Sequence, residues 1–169
     1  DTTTDDIHPL LVGHGNHVDK LQAAIADRAE KNLFVVDSVS STVAVVDLAS
    51  GEVQSRIAVG KSPEGASLSP SGKQISVCGE DDNIVNLIDV ATQKVALSIH
   101  TQGKNPEHAE FSADGRWLLT SNENSNDVDI IDIAAGKSVT LVPTAGQPRG
   151  IARLPNRRVA YGVQETRGG

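Results

Sequence analysis

The sequence predicts an all-β fold, and three observations predict it. Three markers recur along the chain every 42 or 43 residues: the aspartates Asp47, Asp89 and Asp132; the prolines Pro63, Pro106 and Pro148; and the turns "SPSGK" at 69–73 and "SADGR" at 112–116, with "LPNRR" at 154–158 in the same place. Within each period the apolar residues alternate with period two, as in "TVAVVD" and "DVDIID", rather than at the 3.6-residue spacing of a helix. Gly, Pro, Asn and Asp clusters separate these short runs. Four short strands per period of about 40 residues describe a blade of a β-propeller; a solenoid is the second architecture that such a period allows.

The strands are named A to D from the axis outward. "LLVG" at 10–13 aligns with "IAVG" at 57–60, so residues 8–13 are expected to form an outer D-type strand. Three blades follow over 20–60, 64–102 and 107–145, with C strands closing at Asp47, Asp89 and Asp132. The segment "VDKLQAAIADRAEKN" is where a helical turn is allowed, because Leu21, Ala24, Ile25 and Arg28 have partly helical spacing. "GIARL" and "RVAYGVQ" supply strands A and B of a partial fourth blade over 148–169. The next closing aspartate would fall about ten residues past Gln164 and is absent. About three and a half blades are therefore expected, in one domain over 1–169 or in the N-terminal part of a longer propeller. A ring of about seven blades needs on the order of 300 residues, so the remainder of a longer chain, or a second chain, is expected to complete it.

The alternation assigns sides. Val45, Leu87 and Ile130 are expected at equivalent buried positions, with Val128 and Ile130 on the covered face of their strand and Asp129 on the other face. Leu68 and Phe111 are expected as equivalents on innermost strands, and Trp117 on a B strand.

"LTSNENSNDVDIIDIAAGK" at 119–137 and "GKNPEHAEFSADGRWLLTSN" at 103–122 resemble the YVTN-type propeller repeat, matching it at Asn122, Ser125, Asn126, Asp132 and Gly136. The resemblance covers roughly residues 20 to 166. Other copies depart from it: Gly79 and Asp37 stand for the motif Asn, and Gln93 for the turn Gly. The resemblance implies a propeller related to surface-layer and periplasmic proteins and to propeller domains of some redox enzymes, hence a periplasmic or extracellular location. The fold hosts unrelated roles, so function must come from a site.

Composition narrows the classes. The chain has 169 residues, 38% hydrophobic and 2% aromatic, enough for one modest core. A net charge of −7 with scattered Lys and Arg argues against nucleic acid and anionic membranes as partners. No run approaches the roughly 18 to 20 apolar residues of a membrane helix, and "DTTTDDIHPLL" lacks the basic start and apolar centre of a signal peptide. There is no Met, which reads as a chain processed or cut from something longer. The single Cys78, in "QISVCG", reads as a small buried hydrophobe.

In a propeller the B–C and D–A loops emerge on one face, around the mouth of the channel. The candidate ligand-binding residues on that face are Lys61, Glu64, Lys104, Glu107 and Arg149 of the D–A entrances, and Asn122, Asn124, Asn126 and Asp127 of the "NENSND" loop. Asn, Asp, Ser and Gly are also what tight turns require, since they cap backbone N–H groups and tolerate left-handed conformations. Asp47, Asp89 and Asp132 read as such turn caps. Imidazole ligates transition metals, which makes His14, His17 and His108 the candidate metal ligands. No cofactor is expected from the residues; a transition metal is the alternative, because the resemblance admits redox relatives with a metal or haem over this mouth. The expected function is a non-enzymatic module that offers a polar loop face to a protein or small ligand. The alternative is the propeller part of a secreted or periplasmic redox enzyme. No haem-attachment, phosphate-loop or nucleophile-elbow motif occurs in the chain.

Overall fold

The structure, a computed structural model, describes residues 21–27, 31–153 and 160–165. The described residues contain strands and turns and no helix. The first blade is β1 (Leu21–Ala26), β2 (Asn32–Asp37), β3 (Thr42–Asp47) and β4 (Val53–Ala58); the second is β5 (Pro63–Leu68), β6 (Gln74–Gly79), β7 (Ile84–Asp89) and β8 (Lys94–His100). The third is β9 (Pro106–Phe111), β10 (Trp117–Asn122), β11 (Asp127–Asp132) and β12 (Lys137–Pro143), followed by the pair β13 (Gln147–Arg153) and β14 (Ala160–Glu165). Each set is a meander of sequential antiparallel neighbours. The first strands, β1, β5, β9 and β13, lie against one another in turn, whereas the outer strands β4, β8 and β12 hardly meet. This is the geometry of blades fanned about an axis, and the fold is a partial β-propeller. Within the segment where a helical turn is allowed, Leu21–Ala26 form β1, paired antiparallel with β2. The D strand expected at 8–13 lies outside the described residues.

The turn chemistry explains the recurring polar knots. Ser41, Asn83 and Asn126 occupy one left-handed position in the three B–C turns, with φ of 54°, 53° and 56°. Gly51, Gln93 and Gly136 do the same in the C–D turns, and Ser62 and Asn105 in the D–A loops. Asp47 accepts the N–H groups of Ala49 and Ser50 at 3.0 and 2.8 Å, Asp89 that of Thr92 at 2.7 Å, and Asp132 that of Ala135 at 3.0 Å. The N–H of Ser50 and that of Thr92 hold the Asp47 and Asp89 carboxyls below the usual carboxylate value. These three aspartates are turn caps.

The core consists of layers between blades. Phe34, Val36, Val43, Val45 and Ile57 of the first blade meet Ile75, Val77 and Ile88 of the second. One repeat on, Cys78, Val85, Leu87 and Ile99 of the second blade meet Ala109, Phe111, Leu118 and Ile131 of the third. A central blade is thus covered on both faces, which corrects the expected one-sided burial of strand C. On β11 the fully buried residues are Asp129 and Ile131, while Val128 and Ile130 are half-buried. Val45 and Leu87 are fully buried, so Ile130 departs from its equivalents. The reason is the neighbour: among the described residues the last pair, whose β13 touches β11, has two strands where the other blades have four. Trp117 opens β10, half-buried, with the Arg116 guanidinium 4.5 Å from its ring centre.

Asp129 is buried because it is bonded. Its Oδ2 accepts the backbone N–H groups of Gln102 and Gly103 at 2.8 and 3.1 Å, and the Ser138 hydroxyl donates to its Oδ1. In the second blade Asn86 does the same work, accepting the Gly60 N–H at 2.8 Å and donating to Ser98 Oγ at 2.7 Å. A C-strand side chain therefore clamps the D–A loop that leads into its own blade. This fixes where the loop residues emerge.

Candidate functional site

The B–C and D–A loops do share one end of the blades. The N–H groups of Glu80 and Asp81 donate to the carbonyls of Ser62 and Lys61, and those of Glu123 and Asn124 to the carbonyls of Asn105 and Lys104. Each D–A loop lies directly beside the B–C turn of the blade it enters.

Two repeat positions then converge between blades. The residue after each marker proline is Glu64, Glu107 or Arg149, and the residue after the B strands β6 and β10 is Glu80 or Glu123. Carboxylate oxygens of Glu80, Glu107 and Glu123 all lie within 4.8 Å of one another. The Arg149 guanidinium reaches across from the fourth pair to Glu107 at 3.2 Å and to Glu123 at 2.8 Å. Around them, Ser62 Oγ donates to Glu80 at 3.0 Å and the Asn105 side-chain amide donates to the other Glu80 oxygen. The Glu107 and Glu123 side chains are 12% and 8% exposed, whereas that of Arg149 is 44% exposed. Burial pushes the Glu107 carboxyl up to about 8, its hydrogen bond with Glu123 adds to the rise, and the more exposed Arg149 only partly opposes it. The Glu107 carboxyl thus holds its proton above the ordinary carboxylate range, beside Glu123 and under a guanidinium.

That arrangement sets the pH dependence of stability. The folded chain holds a proton on Glu107 between its ordinary value of 4.5 and about 8, while the unfolded chain has released it. Stability therefore falls as pH rises across that interval. Glu107→Gln removes this contribution, and its melting temperature is expected to change less between pH 5 and 8 than that of the wild type.

The other sequence candidates are distributed more widely. Lys61 is exposed beside Asp82, Nζ to Oδ1 3.8 Å, and Lys104 is exposed with its N–H on Ser125 Oγ at 2.8 Å. Asn124 and Asn126 are exposed, and Asn126 carries the left-handed turn. Asn122 and Asp127 are buried and bonded to each other, Nδ2 to Oδ1 2.7 Å. Asn122 packs so closely on the D–A loop that a Cβ on Gly103 would lie 2.0 Å from its amide nitrogen. His108 packs beside Gly65, where a Cβ would lie 2.5 Å from Nδ1, and its Nε2 is 3.8 Å from Glu110. It is not part of the three-carboxylate group. His14 and His17 lie outside the described residues.

Glu80 and Glu123 are not among the sequence candidates, although Glu123 stands within the "NENSND" loop. The signal was available: they occupy one repeat position, as do Glu64, Glu107 and Arg149, and a shared position at the loop end marks residues that adjoining blades bring together.

Residues 18–152 match the profile of the YNCE-like β-propeller family. No curated protein sequence gives a significant match. Among solved structures, hydrazine synthase from Kuenenia stuttgartiensis is similar at 29% identity and a TM-score of 0.69, over 76% of this chain and 39% of that one. A functionally unknown protein from Desulfotomaculum acetoxidans is similar at 16% identity and a TM-score of 0.72, over 84% of this chain and 48% of that one. At that identity the second likeness concerns the fold alone. The chain spans less than half the length of either structure.

Proposed function

Since the chain belongs to the YNCE-like β-propeller family, we propose that it is a non-enzymatic binding module that presents the B–C and D–A loop end of its blades to a protein or small ligand. The observation that carries this reading is the convergence of Glu80 of the second blade with Glu107 and Glu123 of the third at one loop end, the latter two paired with Arg149 of the last strand pair. Its chemistry suits a cationic group, an amine on a small molecule or on a protein partner, which would exchange with Arg149 for the carboxylates. Lys61 and Lys104 stand outside this centre as an exposed rim. The test is isothermal titration of the purified chain with spermidine and with a lysine-rich peptide. Binding that is lost in Glu107→Gln/Glu123→Gln, and changed by His108→Gly without a fall in melting temperature, supports the reading. Absence of binding by both probes, or binding indifferent to the double replacement, discards it.

The likeness to hydrazine synthase favours a second reading, the propeller part of a redox enzyme. The three carboxylates, rather than His108, would then supply oxygen ligands for a metal ion, a donor set suited to hard divalent cations. Elemental analysis of the purified protein separates the two: a stoichiometric metal lost in Glu123→Gln favours the enzyme. The resemblance to periplasmic and surface-layer propellers supports a location outside the cytoplasm. No helix among the described residues is long and apolar enough to cross a membrane.

A further inference from the structure

One patch of the third blade is polar where the second blade is mostly apolar. On the hairpin β10–β11, Thr120 stands opposite Asp129 and Asn122 opposite Asp127, so the four side chains share one face, and all four are buried. At the same positions of β6 and β7, Val77 stands opposite Asn86 and Gly79 opposite Ile84. Burying Asp127 and Asp129 together calls for positive charge. Among the described residues neither pairs with a Lys, Arg or His. A donor that they share is the Asn122 amide, whose Nδ2 lies 2.7 Å from Asp127 Oδ1 and 3.4 Å from Asp129 Oδ2. Two further atoms of the patch are orphans: Asn122 Oδ1 and Thr120 Oγ1 are buried without a hydrogen-bond partner, in residues that are 0% exposed. The first belongs to the very amide held between the carboxylates. Buried oxygens without donors and buried carboxylates without a cation have one remedy in common.

We propose that Thr120, Asn122, Asp127 and Asp129 form a binding site for a calcium ion, beneath the D–A loop that enters the third blade. The donors are all oxygens, the ligand set of a hard cation, and two carboxylates match a double charge. A half-turn of the Asn122 amide exchanges its two ends at nearly constant shape and puts an oxygen where Nδ2 stands, 2.7 and 3.4 Å from the two carboxylate oxygens. Oxygens that share a calcium ion at about 2.3–2.6 Å lie roughly 3 Å from one another, so the spacing fits. Gly103 lets the loop close over the pair, since a Cβ there would lie 2.4 Å from Asp127 Oδ1. The N–H groups of Gln102 and Gly103 hold the Asp129 carboxylate in place at 2.8 and 3.1 Å. The ion would tie this loop to the hairpin beneath it. The site shares no residue with Glu80, Glu107 and Glu123, and the inference stands whether or not those bind a ligand.

Thermal melting and isothermal titration of the EDTA-treated chain with calcium chloride test the site. At a calcium concentration on the order of a hundredfold above Kd, the melting temperature is expected to rise by about 5–10 °C. Magnesium, which gives up its waters reluctantly, should produce a much smaller rise. Asp127→Asn removes one charge at constant shape and is expected to abolish the calcium response. Thr120→Val installs the residue that the second blade carries as Val77, so it keeps the fold, and it is expected to weaken calcium binding several-fold. Absence of a calcium-dependent rise, or equal rises with calcium and magnesium, overturns the proposal. So does a response that Asp127→Asn and Thr120→Val leave intact and Glu107→Gln/Glu123→Gln removes, because the ion would then sit at the loop-end carboxylates.

Discussion

Replacing Phe111 by alanine is expected to lower stability by about 3–5 kcal/mol, the cost typical of a large aromatic removed from a packed core. Phe111 is 1% exposed, ends β9, and packs in the layer with Leu87, Ile99, Leu118 and Ile131. The other residues of that layer are all aliphatic or Cys78, so no second ring is there to relax into the cavity. A domain of this size is stable by roughly 5–15 kcal/mol, so the loss is a large fraction of the total. Leu68, its equivalent on β5, is only half-buried, and Leu68→Ala should cost clearly less. Urea denaturation of the two variants checks this: equal midpoints would mean that the two inner strands are not packed as described.

Asp129→Ala is expected to be the most damaging polar replacement, at about 2–4 kcal/mol, because it strands the N–H groups of Gln102 and Gly103 and the Ser138 hydroxyl. Two effects compete. Removing a buried carboxylate relieves its desolvation, but Gly103 is itself buried and its N–H has no water to turn to. Asp129→Asn separates them, since it keeps an acceptor for the loop and discards the charge. Asn86 already serves the Gly60 N–H in this way, so Asp129→Asn should cost less than about 1 kcal/mol. Similar losses in the two variants, measured by denaturant midpoint, would show that the charge and not the acceptor holds the loop.

The clamp also illustrates what could be read in the residues. The period-two runs, the left-handed turn positions and the capping aspartates act within one hairpin, over distances of a few residues, so their chemistry is written locally. From them the strand boundaries, the closing residues Asp47, Asp89 and Asp132 and the blade repeat follow directly. Even Gln93, which breaks the turn Gly, keeps the left-handed conformation that its position demands.

What surrounds each blade is different in kind. The alternation of "DVDIID" states that two faces exist, but the face that becomes interior depends on the neighbour. Asp129 faces a complete blade and a loop rich in donors and is buried; among the described residues Val128 and Ile130 lie on the side of the two-stranded last pair and stay half-exposed. Likewise Glu107 and Arg149 are 42 residues apart and come within 3.2 Å only because β13 packs along β9. The burial of Glu107 and the rise in its proton affinity belong to that packing. The repeat, the strands and the turns are legible in the residues because hydrogen bonds and backbone preferences act over a few positions. Which carboxylates meet, which strand face is core and which side chain holds each loop follow from packing between elements distant in the chain, and no local pattern encodes that approach.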